Sequence, residues 1–170
     1  GSSRWVYSSH FPILRDGLPQ QVFCMGIDVT GRKTAERSLL TAAQVFDNSR
    51  DAIVVLDGDA RAVMVNRAFT ALTGLEPEAV VGHEVSGLRA GVHDEAFYQQ
   101  IWECVALHDH WEGEMWNRRG SGEEFPSWMA LTAIRSENGE VANYMAILSD
   151  ITERKAAEEQ TRHLAEHDFL

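Results

Sequence analysis

Cysteine is scarce in this chain. Cys24 and Cys104 are the only two in 170 residues. They lie far apart and lack metal-ligand spacing, which argues against a disulfide framework or a thiolate-held metal. Positive charge is also short, with 15 Lys+Arg against 26 Asp+Glu and a net charge of −11. Such a surface repels phosphate backbones and anionic lipid, so neither nucleic acid nor direct membrane contact is expected. No apolar run approaches the roughly 20 residues of a membrane span, and no signal peptide is visible. The expected setting is reduced and cytoplasmic. Nucleophile elbow, P-loop and His-Glu-x-x-His are all missing, so no enzyme chemistry is expected of the chain itself. Asp57, Asp59, Glu123 and Glu124 fall in turns, where carboxylates ordinarily face water. The hydrophobic fraction of 44% does suffice for one compact domain with attached segments. Gly1-Ser2-Ser3 reads as a cloning scar.

What is present begins with a repeat. Asp28-Val29-Thr30-Gly31-Arg32-Lys33 recurs as Asp150-Ile151-Thr152-Glu153-Arg154-Lys155, an offset of 150 − 28 = 122. Asp16-Gly17 and Asn138-Gly139 stand at the same spacing, 138 − 16 = 122. Two landmarks at one offset imply a duplicated unit. Each copy reads as strand, turn, strand, helix. In the first copy these are Trp5–Leu14, Arg15-Asp16-Gly17 and Leu18–Ile27. In the second they are Ser127–Arg135, a turn over 137–140, and Val141–Leu148. Thr30 and Thr152 are placed to cap the helices that follow, with the hydroxyl accepting from a free N–H. The first copy lacks everything before its last two strands. Residues 4–28 therefore read either as a hairpin docked on the following domain or on a second chain's exposed sheet edge, or as a disordered stub.

Between the copies the pattern is fuller. Residues 33–49 read as a helix with Leu39, Leu40, Ala43 and Phe46 on one stripe. Ala52–Leu56 and Ala62–Val65 are short strands joined by Asp57-Gly58-Asp59. Asn66 opens a short helix that Gly74 ends, and Pro77 opens another. Asp94–Leu107 is a longer helix, with Phe97, Ile101, Cys104, Val105 and Leu107 as its apolar side. Trp111–Arg118, Glu124–Arg135 and Val141–Leu148 follow as strands. Two strands, several helices and three strands fit an α+β fold, an antiparallel sheet with helices on one face.

That order, with the words Asn66-Arg67-Ala68-Phe69, Leu72-Thr73-Gly74, Trp116-Asn117-Arg118-Arg119 and Asp150-Ile151-Thr152-Glu153-Arg154-Lys155, resembles a PAS domain with its C-terminal PAC segment. The resemblance implies a five-stranded antiparallel sheet flanked by N- and C-terminal linker helices. Residues 1–37 are then similar to the PAC end of an upstream PAS unit, 38–152 to a complete PAS domain, and 153–170 to a signalling helix. The last run, from Arg162 to Leu170, resembles the junction that leads into a GGDEF domain. A parent protein engaged in cyclic di-GMP synthesis or breakdown is what this implies.

The same resemblance implies a ligand cleft, for which Asn66, His93, Asp94, Trp102, Trp111, Trp116 and Asn117 are the candidate lining. Asn117 is similar in position to a flavin-edge Asn of LOV domains. Trp111, Asn117, His93 and Asp94 together resemble the FAD-binding PAS domain of bacterial aerotaxis receptors, so FAD is the favoured cofactor. Where LOV domains carry the adduct-forming Cys this chain has Val85, and two further flavin-edge amide positions read Ser127 and Leu148. Haem is a second option, since His83, His93, His108 and His110 lie in or beside the helical lid. A small anion held by Arg89 or Arg118, or a cofactor-free module for dimerisation and relay, are the others. Asp150, Ile151 and Thr152 would carry a signal into the last helix, and that sparsely apolar helix reads as a linker that pairs with its copy in a homodimer.

Overall fold

The computed structural model describes residues 4–167, which divide into two compact units, residues 4–45 and residues from 46 onward. In the first unit β1 (Val6–Arg15) and β2 (Leu18–Asp28) form an antiparallel two-stranded sheet. The turn between them places Asp16 at φ 55° and Gly17 at φ 77°, the left-handed pair whose twist suits a two-residue hairpin loop. The register shifts between Ile13 and Leu14. Trp5, Phe11 and Phe23 are each more than half exposed. Helix α1 (Thr30–Asp47) follows. It starts earlier than the apolar stripe suggests, because the capping group is not Thr30. The Asp28 carboxylate accepts the Thr30 N–H at 2.9 Å, while the Thr30 hydroxyl accepts from the Trp5 N–H at 2.9 Å.

The second unit holds β3 (Ala52–Leu56), β4 (Ala62–Val65), α2 (Arg67–Thr73), α3 (Pro77–Val80), a 3₁₀ turn (Val85–Leu88), α4 (Glu95–His108), β5 (His110–Arg118), β6 (Glu124–Arg135), β7 (Val141–Asp150) and α5 (Thr152–His167). Its sheet has the order β4-β3-β7-β6-β5, every neighbouring pair antiparallel. The first and last strands of the unit thus lie side by side at the centre, Val54 opposite Ala146. This is the five-stranded α+β architecture expected from the element order. The helices between β4 and β5 carry the chain from one edge of the sheet to the other.

Local chemistry explains the elements. Asn66, 1% exposed, is the N-cap of α2. Its Oδ1 accepts from Phe69 N and from Ile53 N, and its Nδ2 donates to the carbonyls of Phe46 and Asp51. One amide therefore ties a helix start to the first core strand, and all its bonding groups are used. Gly74 ends α2 at φ 70°, a backbone state that a Cβ disfavours. Asp94 caps α4 by accepting from Phe97 N, and Asp109 ends it in the left-handed region. The buried side of α4 is Tyr98, Ile101 and Val105. Leu107 points to solvent instead, because it sits off that arc.

The core packs α2 and α4 on the sheet through Phe69, Ile101, Val105, Leu56, Leu131 and Leu148. Full burial of a side chain like Phe69 contributes about 1.5–3 kcal/mol. At the exit of β7 the helix cap again differs from expectation. Thr152 is the first residue of α5, and its N–H and hydroxyl both donate to Asp150 Oδ1, at 2.8 and 2.6 Å. An Asp two residues ahead of a Thr is thus the capping device in both copies of the repeat. Among the described residues no helix is long and apolar enough to cross a membrane.

Candidate functional site

A β-sheet whose concave face carries small and medium apolar side chains leaves space beneath the helix that crosses it. Here that space is a cavity of about 340 Å³, at the small end of the range of ligand pockets, about 300–1,000 Å³. Alternation along each strand sends Val54 and Leu56, Ala146 and Leu148, Met129 and Leu131, and Met115 and Asn117 to it. Tyr98, Ile101 and Trp102 of α4 form the opposite wall. Trp102 is braced edge-on by Tyr144, ring centres 5.1 Å apart. Asp59 and Ala60 of the β3–β4 turn and the stretch Glu84–Arg89 complete the lining, with Asp59, Glu84 and Ser86 exposed.

The directional group inside is Asn117, 4% exposed. Its amide orientation follows from its neighbour. Asn117 Nδ2 donates to Ser127 Oγ at 2.6 Å, and Ser127 Oγ donates its own proton to the Met115 carbonyl at 3.2 Å. Ser127 can satisfy both bonds only if the Asn presents nitrogen to it, so Oδ1 and the second N–H of Asn117 are left for a ligand edge. Tyr98 also faces the cavity; its hydroxyl donates to the Ala90 carbonyl at 3.5 Å. Burial pushes its phenol above the ordinary value, opposed by the Arg89 guanidinium lying 4.3 Å over its ring.

Of the seven candidate lining residues, Trp102 and Asn117 reach this cavity. The other five are placed elsewhere. Asn66 is fully engaged at the start of α2, as described. His93 stacks on Phe97 with ring centres 3.9 Å apart, and its Nε2 accepts from Trp116 N at 2.9 Å. β5 is an edge strand, so His93 satisfies a backbone donor that the sheet leaves unpaired. Asp94 caps α4. Trp111 shares the concave face but packs on Gly113, where an added Cβ would meet its ring at 3.0 Å, and edge-on against Phe97. Trp116 points to the opposite face of β5, between the inward Met115 and Asn117, and is 37% exposed.

The positions tied to the LOV resemblance do converge. Val85, Asn117 and Leu148 line the cavity, and Ser127 lies behind Asn117. None of His83, His93, His108 and His110 lines it, which does not fit a histidine-held haem. The arginines proposed for an anion are already paired. Arg89 holds Glu95 at 3.0 Å and Arg118 holds Glu124 at 3.0 Å. The Gly91 N–H and Arg118 together keep the Glu124 carboxyl below the ordinary range. Met115, Met129, Leu131 and Tyr98 are among the lining residues that sequence reasoning missed. Strand alternation was the only signal for the first three and helical periodicity the one for Tyr98, and each names a face without saying which span of that face is left uncovered.

The cavity is connected to the exit of the domain. Ala146 and Leu148 lie on β7 just ahead of Asp150, and Ile151, 5% exposed, donates its N–H to the Pro126 carbonyl at 3.1 Å. Arg119 is the hub of the junction. It donates to Asp150 Oδ2 at 2.6 Å and to the Leu72 carbonyl of α2, and it lies 4.1 Å over the Phe125 ring. Burial alone raises the Asp150 carboxyl, but the hydrogen bonds from Thr152 and Arg119 outweigh it and hold the group below its ordinary value. On the outer face, Glu114 of β5 binds Arg154 at 2.8 Å and Lys155 at 2.5 Å, fastening the first turn of α5 to the sheet.

Comparison with known proteins gives a consistent set. Residues 50–153 match the family described as PAS domain. A blue-light-activated histidine kinase of Rhizobium johnstonii is 28% identical over 140 residues, which cover 81% of this chain and 40% of the kinase. The chain thus spans well under half of that relative. Among solved structures, a PAS domain from Colwellia psychrerythraea is 26% identical with a TM-score of 0.64, covering 68% of this chain and 98% of that one. An RNA-binding light-oxygen-voltage receptor has a TM-score of 0.67 at 24% identity and covers 96% of this chain and 44% of its own.

Proposed function

Because this chain belongs to the PAS domain family, we propose that its second unit is a sensory module that binds a small, flat, mostly apolar ligand in the cavity under α4 and relays its occupancy through β7 into α5. The observation that carries this reading is the cavity itself: apolar walls and one side-chain amide, Asn117, whose orientation Ser127 fixes. A flavin ring has that complementarity, and the light-responsive relatives favour it. Asn117 would meet the polar edge of the ring, and Trp102, Met115 and Leu148 would wall its faces. Bound there, a flavin supplies light- or redox-responsive chemistry; Val85 offers no thiol for an adduct. The FAD tail fits less well than the ring, since the exposed Asp59 and Glu84 carboxylates at the cavity repel phosphate.

A second reading, a colourless apolar ligand or a cofactor-free relay, is favoured by Leu148 and Ser127. They stand where a fuller set of flavin-edge amides would be, and the Ser127 hydroxyl is already spent on the Met115 carbonyl. The test is the visible spectrum of the purified chain, before and after incubation with riboflavin, FMN and FAD, with mass analysis of what denaturation releases. Retained flavin that Asn117→Ala weakens and Leu131→Trp abolishes, with folding preserved by circular dichroism, supports the first reading. Failure to retain any flavin removes it in favour of the second.

The relay rests on the Asp150–Ile151–Thr152 junction. A ligand that shifts β7 moves Asp150, and with it the cap of α5 and the Arg119 link to α2. Two packings of α5 would be the bistable element, read out through a homodimer of linker helices. Residues 4–37 fit as the end of an upstream PAS unit. A GGDEF output is supported by the run from Arg162 to Leu170 alone, of which Asp168, Phe169 and Leu170 lie outside the described residues. The kinase relative points instead to a histidine kinase output.

A further inference from the structure

The hairpin of the first unit repeats the β6–β7 hairpin closely enough to transfer positions between them. Both carry a register shift, between Ile13 and Leu14 in one and between Ile134 and Arg135 in the other. Counting pairs from that shift sets Ile13–Gln21 against Ile134–Asn143, and ends with Val6–Asp28 against Ser127–Asp150. The two capping aspartates coincide, so the alignment is fixed at both ends. On it, the pair His10–Cys24 takes the place of Leu131–Ala146. Both of those line the cavity of the complete unit. Where one unit has two apolar ligand-facing side chains, the other has an imidazole and a thiol.

These two groups touch. His10 Nδ1 is 3.1 Å from Cys24 Sγ, and the other ring nitrogen, Nε2, is 3.4 Å from Ser8 Oγ. Nucleophile, base, and a third group on the far side of the base form the arrangement that activates a thiol. Pro12, Val22, Gly26 and Val6 of that face bring no ionisable side chain, and Asp28 at its end is engaged by the Thr30 N–H, so His10 is the base in contact with Cys24. In this chain Cys24 is exposed, so its thiol is open to a disulfide added in solution. Cys104 is the internal contrast: it is part-buried, and its thiol donates to the His110 carbonyl at 3.5 Å, with no base in contact with it among the described residues.

We propose that Cys24, with His10 as its proton acceptor, is a thiol-exchange site for low-molecular-weight disulfides, a redox input carried by the first unit and separate from the cavity of the second. In the step, the thiol proton passes to His10 Nδ1 and the sulfur attacks one sulfur of the disulfide. A new S–S bond forms as the old one breaks, and the departing thiolate takes the proton back from the imidazolium. The product is a mixed disulfide on the ligand-facing side of the hairpin. No oxidant beyond the disulfide is required.

The experiment uses the full chain with Cys104→Ser, so that Cys24 is the only thiol, and follows addition of glutathione disulfide by mass. The expected native rate at pH 7 is tenfold or more above that of the same chain unfolded in urea, and His10→Gln brings it down to the unfolded level. A native rate no greater than the unfolded one, or an unchanged rate in His10→Gln, overturns the proposal. Should His10→Gln disturb the hairpin by circular dichroism, the pH profile of the parent decides. An ordinary thiol, with a pKa of about 8.5, slows tenfold per pH unit below that value. A rate that stays level from about pH 8.5 down to about 6.5, where an ordinary imidazole takes up its own proton, supports proton transfer to His10, and the ordinary slope over that range refutes it.

Discussion

Replacing Asp150 by Ala removes three acceptor bonds at once, from Thr152 N, Thr152 Oγ1 and Arg119 Nη2. Loss of a helix cap costs about 1 kcal/mol. The Arg119 bond is charged, and such bonds contribute about 1.5–3 kcal/mol. Since the Asp150 side chain is 30% exposed and Arg119 23%, solvent screening cuts this to about 1 kcal/mol. The variant should therefore lose about 2 kcal/mol, a fall in Tm of about 6 °C for a domain of this size. Asp150→Asn keeps an acceptor for Thr152 N and loses the charge, so it should fall about half as far. Thermal melts followed by circular dichroism measure both, and amide exchange of Thr152–Lys155 should accelerate in the same order. The folded carboxyl titrates below its ordinary value. Its contribution is thus complete above the unfolded pKa, about 3.9, and is lost as pH falls through the lower folded value. Parent and Asp150→Ala should differ in Tm at pH 7 and converge in strong acid. Equal melting and equal exchange at pH 7 would show that Asp150 anchors nothing.

Other outcomes follow from the same contacts. Asn66→Ala should destabilise the second unit by about 3 kcal/mol, because it removes four side-chain hydrogen bonds, to Ile53 N, Phe69 N and the carbonyls of Phe46 and Asp51, at about 1 kcal/mol each; a denaturant melt within about 1 kcal/mol of the parent would contradict the role assigned to this amide. Glu114→Gln should leave the main melting transition in place while speeding amide exchange in the first turn of α5. That difference should disappear in 1 M salt, since Glu114, Arg154 and Lys155 are all exposed; a difference that survives salt would assign the contact to packing. The flavin and thiol experiments complete the set.

Much of the architecture was written locally. Asn66, Gly74 and Asp94 mark helix ends through side-chain acceptors and backbone freedom that act within a few residues, and the short apolar run Ala52–Leu56, closed by Asp57-Gly58-Asp59, shows a strand by itself. The repeat also announced the hairpin and helix of the first unit. The helix caps were misassigned because Asp and Thr are both capping residues, and only the backbone path shows that Asp28 and Asp150 accept while the threonines donate. The cavity was legible only in part. Trp102 and Asn117 were found, but tryptophan invites a pocket assignment wherever it occurs, and Trp111 and Trp116 are spent on Gly113 and on the far face of β5. The sequence alone determined the order of elements, the duplication, and the family, because these depend on short-range chemistry and pattern. The tertiary structure alone decided that β3 and β7 meet at the centre, that Ser127 orients Asn117, that Arg119 spans from Leu72 to Asp150, and that His10 faces Cys24. Each of those joins residues far apart in the chain, and their distance is set by strand pairing that no local preference specifies.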